Sequence, residues 1–165
     1  MSETVSTPTD RDEFTATELG AWRGMLRVYA SLVRALDAEL DSSHGVPISS
    51  YEVLIHLADA PEGRMRMRDL ADAALLSRSG LTRLVDRLER EGLIERASCP
   101  SDARGAYAVI TDAGRELLSR ARPAHRADVR RRFLAHFDED ELVQLASYWE
   151  RVLPGSVTGE SGTSC

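Results

Sequence analysis

Apolar residues along the chain recur with two different periods, and the switch between them marks out the elements. Leu19, Trp22, Leu26, Tyr29, Val33, Leu36 and Leu40 follow one another at gaps of three and four. That spacing predicts one long helix from about Thr17 to Asp41, roughly 37 Å at 1.5 Å per residue. Met25, Val28 and Leu32 widen the stripe, so contacts are expected on two sides of this helix. After a loop from Ser42 to Pro47, Ser49 and Glu52 stand in capping-box relation before a second helix. Val53, Leu54, Leu57 and Ala58 form its buried side, and Pro61 and Gly63 end it. Towards the C-terminus, Thr111 is placed to cap a helix that runs through Leu117, Leu118 and Ala121 on to Phe137, with Pro123 expected to kink or break it. Asp138 and Glu141 form a further capping pair. They open a last helix with Leu142, Leu145, Trp149 and Val152 on one side, stopped by Pro154 and Gly155.

Between these outer helices the pattern shortens. Asp69 to Ala74 reads as a compact helix, and Ser77 to Gly92 as another, with Ser77 as N-cap and Gly92 as a left-handed stop. In the second of these, Leu81, Leu84, Val85 and Leu88 form an apolar face. Ser79, Thr82, Arg83, Asp86, Arg87 and Arg90 fill the other face, which is left free to touch something. Helix, tight turn and second helix with a polar, arginine-bearing face is the helix-turn-helix layout. Leu93 to Ser98 and Tyr107 to Ile110 are strand-like runs around a turn-rich stretch from Cys99 to Gly105, so a β-hairpin, or wing, follows directly. Arg64-Met65-Arg66-Met67 alternates like a short strand able to join the same sheet. Arg68 stands where a capping Ser or Thr is more usual, which leaves that helix start weakly fixed or gives Arg68 a phosphate to meet.

The predicted organisation is mainly α with a small β-wing. A winged helix-turn-helix lobe spans residues 49–111, and residues 16–48 and 112–154 supply a helical dimerisation lobe. A flexible arm is expected over residues 1–15 and a flexible tail over 155–165, both rich in small polar residues.

Charge refines this picture. The chain of 165 residues carries a formal net charge of -6, which by itself argues against a nucleic-acid partner. Between Arg64 and Arg104, however, nine arginines meet seven acids, a net of +2, so the remainder carries -8. Affinity for phosphates depends on where positive charge lies, and a local patch can serve. All 21 basic residues are Arg, a bias that extends to faces where no DNA is expected and so points to no one site. The N-terminal half of the helix from Ser77 places Ser77, Arg78, Ser79, Thr82 and Arg83 within reach of base edges or flanking phosphates, with Arg78 and Arg83 the first candidates for base reading. Arg87 and Arg90 lie further along and suit the backbone.

These residues also carry a family resemblance. Leu81-Thr82-Arg83-Leu84-Val85-Asp86-Arg87-Leu88-Glu89, Glu91-Gly92-Leu93-Ile94, Asp102-Ala103-Arg104-Gly105 and Ile110-Thr111-Asp112-Ala113-Gly114, in that order, resemble the MarR family of bacterial winged-helix transcription regulators, with the similarity running from about Leu19 to Leu153. The resemblance implies a homodimer on a pseudo-palindromic double-stranded DNA operator, recognition helix in the major groove, and Arg104 of the wing in the minor groove. It gives Asp102 the role of pairing with an Arg of the wing or recognition helix to hold the wing tip. It further implies a ligand-responsive repressor with a small aromatic or phenolic effector, for which Trp22, Arg23 (or Arg27), Tyr29, Tyr51 and His56 are candidate lining. Dimerisation is expected through Leu19 and Trp22 with the region of Phe133, Phe137, Leu142, Leu145 and Trp149.

Other function classes find little support. There is no Gly-rich phosphate loop, nucleophile elbow or paired acid in an apolar setting, so no catalytic residues, and no His or Cys at ligand spacing for a metal or other cofactor. Cys99 and Cys165 are too few for a disulfide framework, and Cys99 at the wing gives weak support to redox sensing. With neither a membrane-length apolar run nor a secretory signal pattern, the chain is expected in the cytoplasm. The rival reading is a winged helix used as a protein-interaction module, its arginine face on an acidic partner.

Overall fold

The computed structural model describes residues 13–99 and 102–157. Helix α1 (Ala16–His44) begins at a full capping box: Thr15 Oγ1 accepts the Glu18 amide at 3.2 Å and Glu18 Oε2 accepts the Thr15 amide at 2.8 Å. It outruns its predicted end by three residues, because the turn formers Ser42 and Ser43 complete a last turn and the stop comes at left-handed Gly45. Helix α2 (Ile48–Asp59) does not use the expected Ser49–Glu52 box. Its N-cap is Pro47, which offers no side-chain acceptor, and the first amide, Ile48 N–H, is taken instead by Asp37 Oδ1 of α1 at 2.8 Å. A tertiary carboxylate has replaced a local cap.

A 3₁₀ turn (Pro61–Gly63) leads into β1 (Arg64–Arg66), helix α3 (Met67–Ala73) and helix α4 (Arg78–Arg90). Helix α3 starts two residues before the predicted Asp69, with Arg66 as an N-cap that makes no capping hydrogen bond, so Arg68 lies inside the first turn and pairs with Asp69 at 3.2 Å. In the turn between the helices Leu75 adopts φ +52° and is 83% exposed, a left-handed conformation that costs a Cβ-bearing residue about 1–2 kcal/mol. Helix α4 stops as predicted at Gly92, φ +73°.

Strands β2 (Ile94–Cys99) and β3 (Asp102–Ile110) form the wing hairpin, and β1 adds to the other side of β3, giving the antiparallel order β1-β3-β2. Arg64 lies opposite Val109 and Arg66 opposite Tyr107, so the strand expected from the Arg-Met-Arg alternation is present. β3 starts at Asp102, five residues before the predicted Tyr107, and the hairpin register shifts between Ser98 and Cys99. Pairing to β2 extends the strand through residues that favour turns in isolation.

Helix α5 (Asp112–Arg132) is capped by Thr111, whose Oγ1 accepts the Gly114 amide at 3.1 Å. It is continuous through Pro123, against expectation, and ends at Arg132, short of Phe137. Pro123 removes one hydrogen bond to the Ser119 carbonyl; both residues are exposed, so solvent can serve that oxygen. A 3₁₀ turn (Leu134–His136) separates α5 from α6 (Glu139–Val152), which opens on the predicted Asp138–Glu141 box.

Two cores form. Val53, Leu54 and Leu57 of α2, Leu70 and Ala71 of α3, Leu81, Val85 and Leu88 of α4, and Ile94, Ala108 and Ile110 of the sheet make the larger one. Leu40, Val46, Tyr51, Leu118 and Ala121 make the second, between α1, α2 and α5. Helix α2 thus contributes to both, so a displacement of α2 against α5 is felt by the winged lobe. By contrast α6 buries none of its residues, and α1 buries only Leu40.

Candidate nucleic-acid interface

Helix α4 is held from beneath and bare on top. Leu81, Val85 and Leu88 are at most 1% exposed, and burying each contributes roughly 1.5–3 kcal/mol to seating the helix. At its N-terminus Ser77 Oγ accepts the Gly80 amide at 3.1 Å and lies 3.4 Å from Ser79 Oγ. Thr82 Oγ1 donates to the Arg78 carbonyl at 2.8 Å, and Arg83 Nε to the Ser79 carbonyl at 3.3 Å. Ser77, Arg78, Ser79, Thr82 and Arg83 are all exposed. Neither Arg78 nor Arg83 has a carboxylate partner among the described residues, so both charges are available to a phosphate or a base edge, next to the positive end of the helix dipole.

Other arginines of this lobe whose side chains are described are engaged. Arg87 turns inward: Nη2 donates to Ser50 Oγ of α2 at 2.5 Å and Nε lies 4.0 Å from Glu91. Its first role here is a brace between α4 and α2. Arg96 on β2 reaches back to Asp86 at 2.5 Å and Glu89 at 3.9 Å, fixing the wing against α4. Among the described residues Asp86 and Glu89 thus link wing and helix. The side chains of Asp102, Arg104 and Cys99, like Cys165, lie outside the described residues. Arg90 Nε donates to the Asp86 carbonyl at 3.1 Å.

Tyr107 was not among the candidates. Arg66 Nε donates to its hydroxyl at 3.3 Å, and the Arg64 and Arg66 guanidinium carbons lie 5.4 and 5.7 Å from its ring. The cross-strand pairing of Arg66 with Tyr107 creates this cluster, and the Arg-Met-Arg alternation was its one visible sign.

Neither of the two clefts among the described residues gathers the five candidate effector residues. Trp22 and Tyr29 on α1 are 55% and 68% exposed. Arg23 borders a shallow groove of about 430 Å³ with Leu19 and Arg27. His56 is half-buried on α2, and burial pulls its pKa down against the opposing charge of Asp59. Tyr51, 1% exposed, belongs to the second core and meets the ring of His125 of α5 at 4.6 Å in a tilted contact. Burial raises its pKa, with Arg122 and Arg126 acting the other way. A larger cleft, about 520 Å³, opens beside these residues between the end of α2 and α5, lined by Asp59, Arg115, Leu118, Arg122 and Arg126 among others. None of the five candidates lines it. The arginines of α5 carried no sequence signal beyond the chain-wide preference for Arg, yet seven of them against three acids make this helix a second basic element.

Comparison with known proteins bears on the same segment. The MarR family model matches residues 44–105. The fold superposes on Sco3205 of Streptomyces coelicolor, a MarR family regulator solved in complex with DNA, with a TM-score of 0.83 and 36% identity, over 87% of this chain and 93% of that one. AbsC, a MarR family regulator of the same organism, gives 0.81 and 36%, over 85% and 94%. CouR of Rhodococcus jostii RHA1, solved bound to p-coumaroyl-CoA, gives 0.74 and 26%, over 86% and 97%.

Proposed function

Because this chain belongs to the MarR family of transcription regulators, we propose that it is a ligand-responsive repressor that binds a pseudo-palindromic operator as a homodimer. The family's members are regulators and not enzymes. The observation that carries the proposal is the exposed N-terminal half of α4, where Arg78 and Arg83 lack carboxylate partners among the described residues while Asp69, Glu91 and Asp86 are paired with Arg68, Arg87 and Arg96. In this reading Ser77, Arg78, Ser79, Thr82 and Arg83 enter the major groove, Arg87 adds a backbone contact, and Arg104 with its neighbour Asp102 presents the wing to the minor groove.

The apolar surface left on the terminal helices supports the dimer. Trp22, Leu26, Val28 and Tyr29 on α1, and Val143, Trp149 and Val152 on α6, are exposed in the single chain. Such a surface on a small protein is an interaction site. Residues 16–48 and 112–154 then form the dimerisation lobe and residues 49–111 the DNA-binding lobe. A small aromatic effector is supported by the acyl-CoA ligand of CouR. Among the described residues no helix is long and apolar enough to cross a membrane.

The test is a binding titration on DNA from the region upstream of the chain's own gene. Retention that survives competitor DNA and falls steeply with salt supports the reading. Loss to competitor at every salt concentration overturns it and leaves the protein-interaction module.

A further inference from the structure

Helices α3 and α4 end in the same backbone motif, and only α4 does so on the residue that the motif favours. At the end of α4 the Gly92 amide donates to the Glu89 carbonyl at 3.0 Å and the Leu93 amide to the Leu88 carbonyl at 2.9 Å, with Gly92 at φ +73°. At the end of α3 the Leu75 amide donates to the Asp72 carbonyl at 3.3 Å and the Leu76 amide to the Ala71 carbonyl at 2.9 Å, with Leu75 at φ +52°. The left-handed residue of such a stop is ordinarily Gly, because a Cβ crowds the adjoining carbonyl. Leu75 holds a branched side chain against that preference.

Packing does not offset the strain. Ala74 and Leu76, on either side, lie against the larger core, whereas Leu75 is 83% exposed. Glu62, which also has a positive φ, sets its carboxylate 2.6 Å from Arg64, so its side chain has a partner. Leu75 also stands apart from the other exposed apolar side chains. Trp22, Leu26 and Tyr29 belong to α1 and Val143, Trp149 and Val152 to α6, the surface read above as facing a second copy. Within residues 49–111, Leu75 is the only large apolar side chain left exposed among the described residues.

Its position indicates what covers it. Leu75 precedes the N-cap Ser77 by two residues, so its Cα lies within about 7.6 Å of the start of α4. Exposed Ser77, Arg78 and Ser79 follow directly. An apolar group continuous with that polar face has one apolar counterpart in the major groove, the C5-methyl of thymine. Strain held by an exposed side chain beside a binding face belongs to function and not to the fold.

We propose that Leu75 is a specificity-determining residue whose side chain packs on a thymine methyl at the edge of the site read by Ser77 to Arg83. The inference rests on the operator-binding reading above, in which each copy of the chain sets one Leu75 against its half-site. Arg78 and Arg83 recognise guanine edges or phosphates and do not sense a methyl group. Leu75 adds that discrimination.

The test removes the methyl and the side chain separately. The shortest DNA fragment from upstream of the chain's own gene that wild type retains over competitor is synthesised twice, with thymidine and with deoxyuridine throughout. The two differ only by the C5-methyl. Both are titrated with wild type, Leu75→Gly and Leu75→Met. Wild type should prefer the thymidine fragment. Leu75→Gly should reduce that preference by roughly four-fold for each contacting methyl, the contribution of one buried methyl group. Leu75→Met, which keeps an apolar side chain, should retain most of it. Any methyl read by Thr82 affects all three proteins alike and cancels in the comparison. Because Gly relieves the left-handed strain and so exposed a side chain gives up little burial, the urea midpoint of Leu75→Gly should equal or exceed that of wild type. A preference unchanged in Leu75→Gly overturns the proposal, whether its affinity is kept or falls equally on both fragments. A lower midpoint gives the side chain a packing role and overturns it too. In either case the operator-binding reading stands, since wild type has bound its fragment. If wild type retains no upstream fragment, that reading fails and the proposal with it.

Discussion

Gly114 shows how a single side chain atom can be excluded. A Cβ there would lie 2.3 Å from the Leu93 carbonyl oxygen and 2.9 Å from Ile110 Cγ1. The neighbourhood is rigid, since the Thr111 amide donates to that same Leu93 oxygen at 3.1 Å and Thr111 Oγ1 donates to the Gly92 carbonyl at 2.7 Å. Together these tie the end of the recognition helix to the start of α5. Gly114→Ala is therefore expected to lower stability by about 1–3 kcal/mol, the usual cost of overpacking, read as a lower urea midpoint at unchanged slope. An unchanged midpoint would mean that the α5 start moves freely.

Histidines act at the same scale through protons. Burial lowers the pKa of His125, with Asp128 opposing, and lowers that of His56, with Asp59 opposing, both from an ordinary value of 6.5. Below 6.5 the unfolded chain then holds more protons at these sites than the folded one, so their contribution is complete above that value and is lost as pH falls towards the folded-state pKa. Urea unfolding at about pH 7.5 and about pH 5.5 should show lower stability at the acidic value, and His125→Gln should shrink the difference. A variant with the wild-type difference would remove His125 from this account.

At the scale of elements, α4 separates two kinds of arginine that sequence pattern treats alike. Arg78 is exposed and without a carboxylate partner among the described residues, whereas Arg87 donates to Ser50, which is itself 1% exposed. Arg87→Ala leaves a buried hydroxyl short of its partner and is expected to cost about 1–2 kcal/mol of stability. Arg78→Ala should leave the urea midpoint within about 0.5 kcal/mol of wild type. On operator DNA, Arg78→Ala is expected to reduce affinity by roughly ten-fold or more. Should Arg78→Ala unfold the protein, or bind as wild type does, the assignment of a free reading face to α4 fails.

The same helix explains what sequence could and could not disclose. Its faces, its Ser77 cap and its Gly92 stop are consequences of residues within one or two turns, and period and cap chemistry read them directly. So is the Asp138–Glu141 box of α6. The misreadings turn on surroundings that the local pattern does not carry. Asp37 supplies the α2 cap eleven residues away, pairing with β2 carries β3 through Asp-Ala-Arg-Gly, and the open side of α5 tolerates Pro123. The candidate site divides in the same way. Arg78 and Arg83 were legible because one helical face holds them, while the α2–α5 cleft was not, since Asp59 and Arg122 meet across 63 positions.

Over the whole molecule the two cores leave an imbalance that a second copy would resolve. Helices α2, α3 and α4 bury their apolar faces within the chain, but Trp22, Leu26, Tyr29 and Trp149 remain 55%, 45%, 68% and 39% exposed. Phe133 and Phe137 make an edge contact at 5.3 Å near the α5–α6 turn, and Phe137 is 36% exposed. Exposed apolar surface concentrated on the first and last helices, away from α4, is what an isologous interface needs if it is to hold two recognition helices at a fixed spacing. Linking two half-site contacts raises avidity by roughly a hundred-fold or more without any new contact to DNA. Leu26→Glu places a charge in that surface and touches neither core, so it should leave the circular dichroism spectrum and the urea slope intact. Sedimentation at micromolar concentration is expected to show a dimer for the wild-type chain and a monomer for the variant, with operator affinity lowered by roughly a hundred-fold or more. A dimeric variant would move the interface off this part of α1, and a monomeric variant that keeps full affinity would detach DNA binding from dimerisation.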